Sequence, residues 1–243
     1  MVGWLREWEY AHRGLHSPTV AENSPSAFAS AMSLGMGIEC DIRLSGDGRA
    51  VVFHDATLER LAGLQGAVAR LGIAELTSTR LSVGGERIPT LRDLLEQVDG
   101  KVPLLLELKT DPPRSVSGLC KAVRRDLEGY QGQVAVMSFD PRVGSWFAGN
   151  APQVVRGLVV TERDRRTSGA RLTRHRFLWR AKPHFLAYDV RDLPSPFAAS
   201  QRARGLPLLT WTVASPALRA SAQEFADAPI AEGQGLAESH RLP

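Results

Sequence analysis

The feature that most constrains this chain is the alternation of short apolar runs with stretches of helical period. Residues 10–13, 38–44, 102–109, 134–139, 154–160, 185–190, 206–213 and 229–232 read as extended segments, with 50–54 as the return arm of a hairpin. Helical signals fall between them. Ser24-Pro25 supplies an N-cap and a first-turn proline ahead of the stripe Ala27, Phe28, Ala31 and Met32. Thr90-Leu-Arg-Asp93 is a capping-box pattern, and Leu91, Leu94, Leu95 and Val98 share the face behind it. Residues 114–128 also read as helix. Eight strands joined mostly by helical crossovers, in 243 residues, have the dimensions of a (β/α)8 barrel, an α/β fold. The rival is a doubly wound open sheet, but no glycine-rich phosphate fingerprint follows any strand. Residues 55–88 are glycine-rich and weakly periodic, an excursion with little regular structure.

Hydrophobic residues make up 43 % of the chain and charged ones 23 %, which excludes a disordered or collagenous protein. No run approaches the roughly 18 apolar residues of a membrane span, and the first ten residues lack an apolar segment of signal-peptide length. The expectation is a cytoplasmic protein of one domain without stable membrane insertion. Its two cysteines, Cys40 and Cys120, build no disulfide framework. The net charge of +4 points weakly to an anionic partner. Residues 163–182 hold eight arginines and lysines, which read as a solvated helix or a surface approaching anionic lipid or the substrate headgroup. No nucleic-acid module is recognisable, so no nucleic-acid partner is expected. The oligomeric state is not legible.

Two extended segments carry charges that a plain core would not accept. In Ile38-Glu-Cys-Asp-Ile42, the two-residue period puts Glu39 and Asp41 on one face and Cys40 on the other. In Leu104-Leu-Leu-Glu-Leu-Lys109, Glu107 and Lys109 share a face in the same way. Barrel strands are buried on both sides, and an unpaired buried charge costs several kcal/mol. One solution is a hard divalent cation, Mg²⁺ or Ca²⁺, on the three carboxylates. The other is plain pairing, of Glu107 with Lys109 and of Glu39 with an arginine.

Ser45-Gly-Asp-Gly48 marks a hairpin. A two-residue Asp47-Gly48 loop would pair Gly46 with Arg49, and counting back along that ladder sets Asp41 opposite His54, with Asp55 just beyond. His12-Arg13-Gly14 closes the first strand, where barrels build their sites. Histidines near neutral pH exchange protons, and the planar fork of Arg13 suits phosphate. Together these residues suit metal-assisted phosphoryl transfer. Trp211 and Phe139 are candidate walls for a cationic headgroup. His16, His184 and His240 have no evident partners.

Ala11-His-Arg-Gly14, Glu22-Asn23, Glu39-Cys-Asp41, Asp47-Gly48, Val52-Phe-His-Asp55 and Glu107-Leu-Lys109 resemble, in order and spacing, the glycerophosphodiester phosphodiesterase family. Ile88-Pro-Thr-Leu91, Ser138-Phe139 and Trp211-Thr-Val213 look like its later landmarks. The resemblance implies a TIM barrel with a small insertion after His54-Asp55, at about residues 56–88. It further implies a divalent ion on Glu39, Asp41 and Glu107, acid–base chemistry by His12 and His54, and phosphate binding by Arg13 and Lys109. The implied reaction is hydrolysis of glycerophosphodiesters to glycerol 3-phosphate and an alcohol. The alternatives are a lysophospholipase D acting on lysophospholipids and a non-catalytic phosphoester-binding barrel. Two departures stand out: Ala21-Glu-Asn-Ser24 replaces the usual Pro-Glu-Asn-Thr, and Ile230-Ala-Glu-Gly233 replaces a terminal Thr-Asp.

Overall fold

A computed structural model describes residues 2–111, 115–162 and 168–241, which leaves Arg163, Arg165 and Arg166 of the basic segment outside the described residues. The strands follow the order β1-β9-β8-β7-β6-β5-β4-β2-β3, and β1 also pairs with β2, so eight strands close on themselves. This is the (β/α)8 barrel, with β3 as the extra hairpin arm. The chain falls into two compact units, Ala11–Val134 and Met1–Tyr10 with Ala135–Pro243.

In the first unit, the strands are β1 (Tyr10–Ala11, entered from the other unit), β2 (Gly37–Leu44), β3 (Ala50–Val52) and β4 (Leu104–Leu108). Its helices are α1 (Pro25–Ser33), α2 (Glu59–Ala62), α3 (Ile73–Ser78), α4 (Leu91–Val98) and α5 (Ser117–Asp126). Local chemistry starts the helices where expected. The Ser24 hydroxyl accepts from the Ala27 amide ahead of α1. Thr90 and Asp93 close a reciprocal capping box on α4. The face that α4 buries, Leu91, Leu94, Leu95 and Val98, is the one read from the sequence.

Strand β2 runs parallel to β4, and the pairing sets Asp41 beside Glu107. The hairpin register differs from the expectation by one residue. Arg43 pairs with Val51 and Leu44 with Ala50, which makes Gly46-Asp47-Gly48 a three-residue loop. Gly48 takes the left-handed position (φ +79°) that such loops need. Ser45 stabilises the wider turn by accepting the Arg49 amide and donating to Asp47. Asp41 therefore faces Phe53 across the ladder, whose amide donates to the Asp41 carbonyl.

The excursion at 56–88 is more ordered than its sequence suggests. Besides α2 and α3 it holds a 3₁₀ turn at Val68–Arg70 and its own small core. Leu58, Val68, Leu76, Leu81 and Ile88 are buried there against Val51 and Phe53. Each such side chain contributes about 1.5–3 kcal/mol of burial, which offsets the ordering of a glycine-rich segment. The periodicity is invisible because no helix here exceeds six residues.

The second unit continues through β5 (Val134–Ser138), α6 (Pro141–Asn150), β6 (Val155–Val160), α7 (Ser168–Ala181) and β7 (Phe185–Asp189). It ends with α8 (Pro196–Ala203), β8 (Leu208–Val213), α9 (Pro216–Phe225) and β9 (Ala228–Ala231). Gly157 on β6 is required by packing, since a Cβ there would lie 2.3 Å from the Phe185 ring. Two histidines without evident sequence partners have them here. His184 accepts from the Arg156 amide (3.4 Å), and His240 Nδ1 lies 2.8 Å from Glu9 Oε2. Glu9 also accepts from Arg219 Nη1 (2.7 Å) and from the Ala237 amide (3.1 Å).

Burial works to raise the Glu9 pKa, but Arg219 and His240 outweigh it and hold the carboxyl below 4.5. A lowered folded-state pKa contributes stability above the unfolded value that is lost as pH falls through the folded one. Glu9→Gln is expected to cost about 1–3 kcal/mol at pH 7. In thermal melts the gap between wild type and variant should close as pH drops below 4.5.

Candidate active site

The first unit brings together seven of the nine residues singled out in the sequence. Glu39, Asp41 and Glu107 are almost fully buried. Their carboxylate oxygens lie within 4.8 Å of one another, a spacing compatible with one shared cation. Two-residue alternation on β2 and the in-register pairing of β2 with β4 produce this arrangement.

The pairing solution to the charge problem is present in part, and the three carboxylates are also close enough to share a cation. Lys109 Nζ lies 2.6 Å from Glu107 Oε1 and 3.0 Å from Asp41 Oδ1. Arg13 Nε lies 3.3 Å from Asp41 Oδ2. The arginine serves Glu39 through its backbone instead: the Arg13 amide donates to Glu39 Oε2 at 3.0 Å. The other oxygen, Glu39 Oε1, is buried with no hydrogen-bond partner. Buried polar atoms are rarely left so, and an all-oxygen set with one open acceptor fits a hard divalent cation.

The turn after β1 needs unusual backbone. Arg13 and Asn23 both have φ of +56°, and Gly14 has φ of +75°. At Gly14 a Cβ would sit 2.8 Å from that of Ala27 at the head of α1, so no side chain fits. Left-handed Arg13 and Asn23 cost of order 1 kcal/mol each and persist because neighbours hold them. Asn23 donates to Asp41 Oδ2 (2.9 Å) and accepts the Asp41 amide (3.2 Å), and the Asn23 amide donates to the Arg13 carbonyl (2.8 Å). Asn23 thus orients a carboxylate of the cluster.

His54 arrives by a route other than the expected cross-strand pairing. Strand β3 ends at Val52, and the chain bends after Phe53. His54 Nδ1 is 2.6 Å from Asp55 Oδ1, and Arg43 Nε donates to the His54 carbonyl at 2.7 Å. The carboxylate of Asp55 favours the tautomer with Nδ1–H as the donor, which leaves Nε2 as the acceptor nitrogen of the ring. His12 lies in the turn after β1, where its charge acts on Glu107.

The charges sort into two groups. Burial works to raise Asp41, but Lys109, Arg13 and His54 outweigh it and hold that carboxyl down to about 2. Burial and the Asp41 and Glu107 charges push Glu39 well up. Burial also raises Glu107, against the pull of Lys109. Burial lowers His54, with Asp41 pulling the other way. Cys40, between the two acids, is pushed up by burial and then by their charges, as befits packing rather than chemistry.

Phe139 and Trp211 belong to the second unit. Their rings pack edge to face, 5.3 Å apart and at 85°, and Trp211 Nε1 donates to the Ala187 carbonyl at 2.9 Å. Sequence reasoning assigned no role to Glu22, Asn23, Arg43, Asp55 and Arg60. Glu22-Asn23 and Asp55 lay within quoted motifs, but nothing in the local pattern marked Arg43 or Arg60.

The fold and site define a closed α/β barrel that carries an acidic oxygen cluster with histidines and two cationic side chains in the same unit. Comparison with known proteins narrows the class. The profile described as the glycerophosphoryl diester phosphodiesterase family matches residues 12–233. A glycerophosphodiester phosphodiesterase of Caldanaerobacter subterraneus is 35 % identical over 54 % of this chain and 57 % of its own length. A probable glycerophosphodiester phosphodiesterase 2 of Mycobacterium tuberculosis is 39 % identical over 49 % and 46 %. The chain thus spans about half the length of these curated relatives. An Oleispira antarctica phosphodiesterase, solved with the product sn-glycerol-3-phosphate, shares the fold with a TM-score of 0.80. It is 23 % identical, with 92 % of each chain covered. A glycerophosphodiester phosphodiesterase structure from Thermotoga maritima gives a TM-score of 0.73 at 25 % identity, covering 91 % of this chain and 92 % of that one. This chain belongs to the glycerophosphoryl diester phosphodiesterase family.

Lys109→Met would leave Asp41 and Glu107 facing each other without their shared ammonium. In chelator-containing buffer at pH 7 the variant should lose about 3–5 kcal/mol in urea unfolding, the range for breaking a buried ion pair.

Proposed function

We propose that this protein hydrolyses glycerophosphodiesters to glycerol 3-phosphate and an alcohol. The observation that carries the reading is the convergence of Glu39, Asp41 and Glu107 within 4.8 Å, with one buried Glu39 oxygen lacking any partner. His12, Arg13, His54 and Lys109 belong to the same unit as these acids. Family membership and the product-bound Oleispira relative support the same reaction.

In this reading Glu39, Asp41 and Glu107 hold one Mg²⁺ or Ca²⁺ ion. Bound there, the cation supplies charge to stabilise the phosphoryl oxygens as negative charge builds on them. Arg13, tied to Glu22 through Nη1 at 2.6 Å, directs its planar fork at phosphate. Lys109 adds a point charge close to the acids, which keeps Asp41 ionised. The reaction consumes one water, which attacks phosphorus directly or opens a cyclic phosphate formed by the glycerol hydroxyl. On either route one proton is removed from the attacking oxygen and one delivered to the departing alkoxide. His12 and His54 share these tasks. His54 works through Nε2 because Asp55 occupies Nδ1, and its lowered pKa leaves the ring neutral, ready to accept a proton at physiological pH.

A panel of glycerophosphocholine, glycerophosphoethanolamine and lysophosphatidylcholine, assayed with EDTA and after adding back Mg²⁺ or Ca²⁺, tests the reading. Turnover of the glycerophosphodiesters is expected only with the cation. His12→Ala and His54→Ala should each lower kcat by about 10²–10⁴. Preference for the lysolipid would favour a lysophospholipase D. Absence of cation-stimulated turnover on every diester would leave a phosphoester-binding barrel.

A further inference from the structure

One cationic side chain at the site is used neither for phosphate nor for the acid cluster. Arg60 sits on α2, at the start of the 56–88 excursion, and its side chain is 49 % exposed. Its guanidinium holds two carboxylates at once. Nε donates to Asp55 Oδ2 at 2.6 Å, and Nη2 reaches Asp55 Oδ1 at 3.1 Å. Nη1 donates to Glu22 Oε2 at 2.8 Å, and Nη2 reaches Glu22 Oε1 at 2.9 Å. Each carboxylate in turn grips a different site residue. Asp55 holds His54 Nδ1, and Glu22 Oε1 accepts from Arg13 Nη1 at 2.6 Å.

An unbroken chain of charge-assisted hydrogen bonds therefore runs His54–Asp55–Arg60–Glu22–Arg13. An isolated exposed ion pair contributes little to stability and a bidentate network contributes more, but stability alone does not account for both carboxylates gripping site residues. Geometry offers a stronger one. Asp55 and Glu22 are both acidic and repel each other. Only a planar fork with several donors can hold them side by side with fixed orientation, which a lysine cannot do.

We propose that Arg60 is a positioning residue that sets His54 and Arg13 relative to each other by clamping Asp55 and Glu22. The inference rests on the roles given to His54 and Arg13 above. It makes the excursion part of the catalytic apparatus, because the short α2 segment carries the clamp while the Leu58–Leu76–Ile88 core anchors it.

The test compares wild type, Arg60→Ala and Arg60→Lys as whole, cation-loaded protein. Arg60→Ala should lower kcat about 10- to 100-fold, the penalty of a misplaced catalytic group, with the melting temperature moving by no more than about 3 °C. Arg60→Lys should recover only part of the loss. A second readout needs no turnover: ¹⁵N-histidine NMR above neutral pH should show one His54 tautomer, with Nδ1 protonated, in wild type. In Arg60→Ala that signal should shift toward a mixture of tautomers. Unchanged His54 signals, full recovery by lysine, or kcat within about twofold of wild type would each overturn the proposal. So would a rate loss matched by loss of folded protein. If wild type turns over no diester, the functional reading fails while the NMR comparison still decides the clamp.

Discussion

Three carboxylates buried within two neighbouring strands are the constraint from which the rest of the site follows. Water is excluded from Glu39 and Asp41, each 1 % exposed, and Glu107 is barely more accessible. At protein-interior dielectric their mutual repulsion amounts to several kcal/mol, so such a cluster survives only if its surroundings are positive. The fold answers with Lys109 on the same strand line and Arg13 from the preceding turn. That answer is incomplete by design. Asp41 is well compensated, whereas Glu39 keeps an unpaired oxygen and a raised pKa. In the proposed function a divalent cation on the three acids would make up that deficit.

The loops around the cluster solve a second problem, that of aiming flexible side chains. Arg13 and Asn23 are held in left-handed backbone, and the reward is direct. The Arg13 amide serves Glu39, and the Asn23 side chain grips Asp41 from both sides. Gly14 permits the turn to press against α1. Farther out, Asp55, Arg60 and Glu22 extend the same logic, with each charge oriented by an opposite one. Rigid strands supply position, and short hydrogen-bonded loops supply direction.

Much of this was legible in the sequence, and the residues show why. Glu39 and Asp41 announce themselves because two acids at a two-residue spacing cannot both hide in an apolar strand. Thr90 and Asp93 announce α4 because capping chemistry is local. The hairpin register lies one residue from the sequence expectation: the loop could close on two residues or three, and the Ser45 hydroxyl together with left-handed Gly48 favours three. His54 still comes under the influence of Asp41, by a bend beyond the strand rather than by the ladder. The order in residues 56–88 was missed because it rests on long-range contacts of Leu58, Leu76 and Ile88 with Val51 and Phe53.

By itself the sequence determined the alternation of strands and helices, the buried acids with their lysine, and the family. These depend on periodicity, solvation and spacing, which act over a few residues. Only the tertiary structure decided which oxygen is left without a partner, that Asn23 orients Asp41, and that Arg60 joins Asp55 to Glu22. Such links tie residues 18 and 38 positions apart. Chain closure over those distances leaves no local imprint, because the partner is chosen by where the backbone returns and not by its neighbours in sequence.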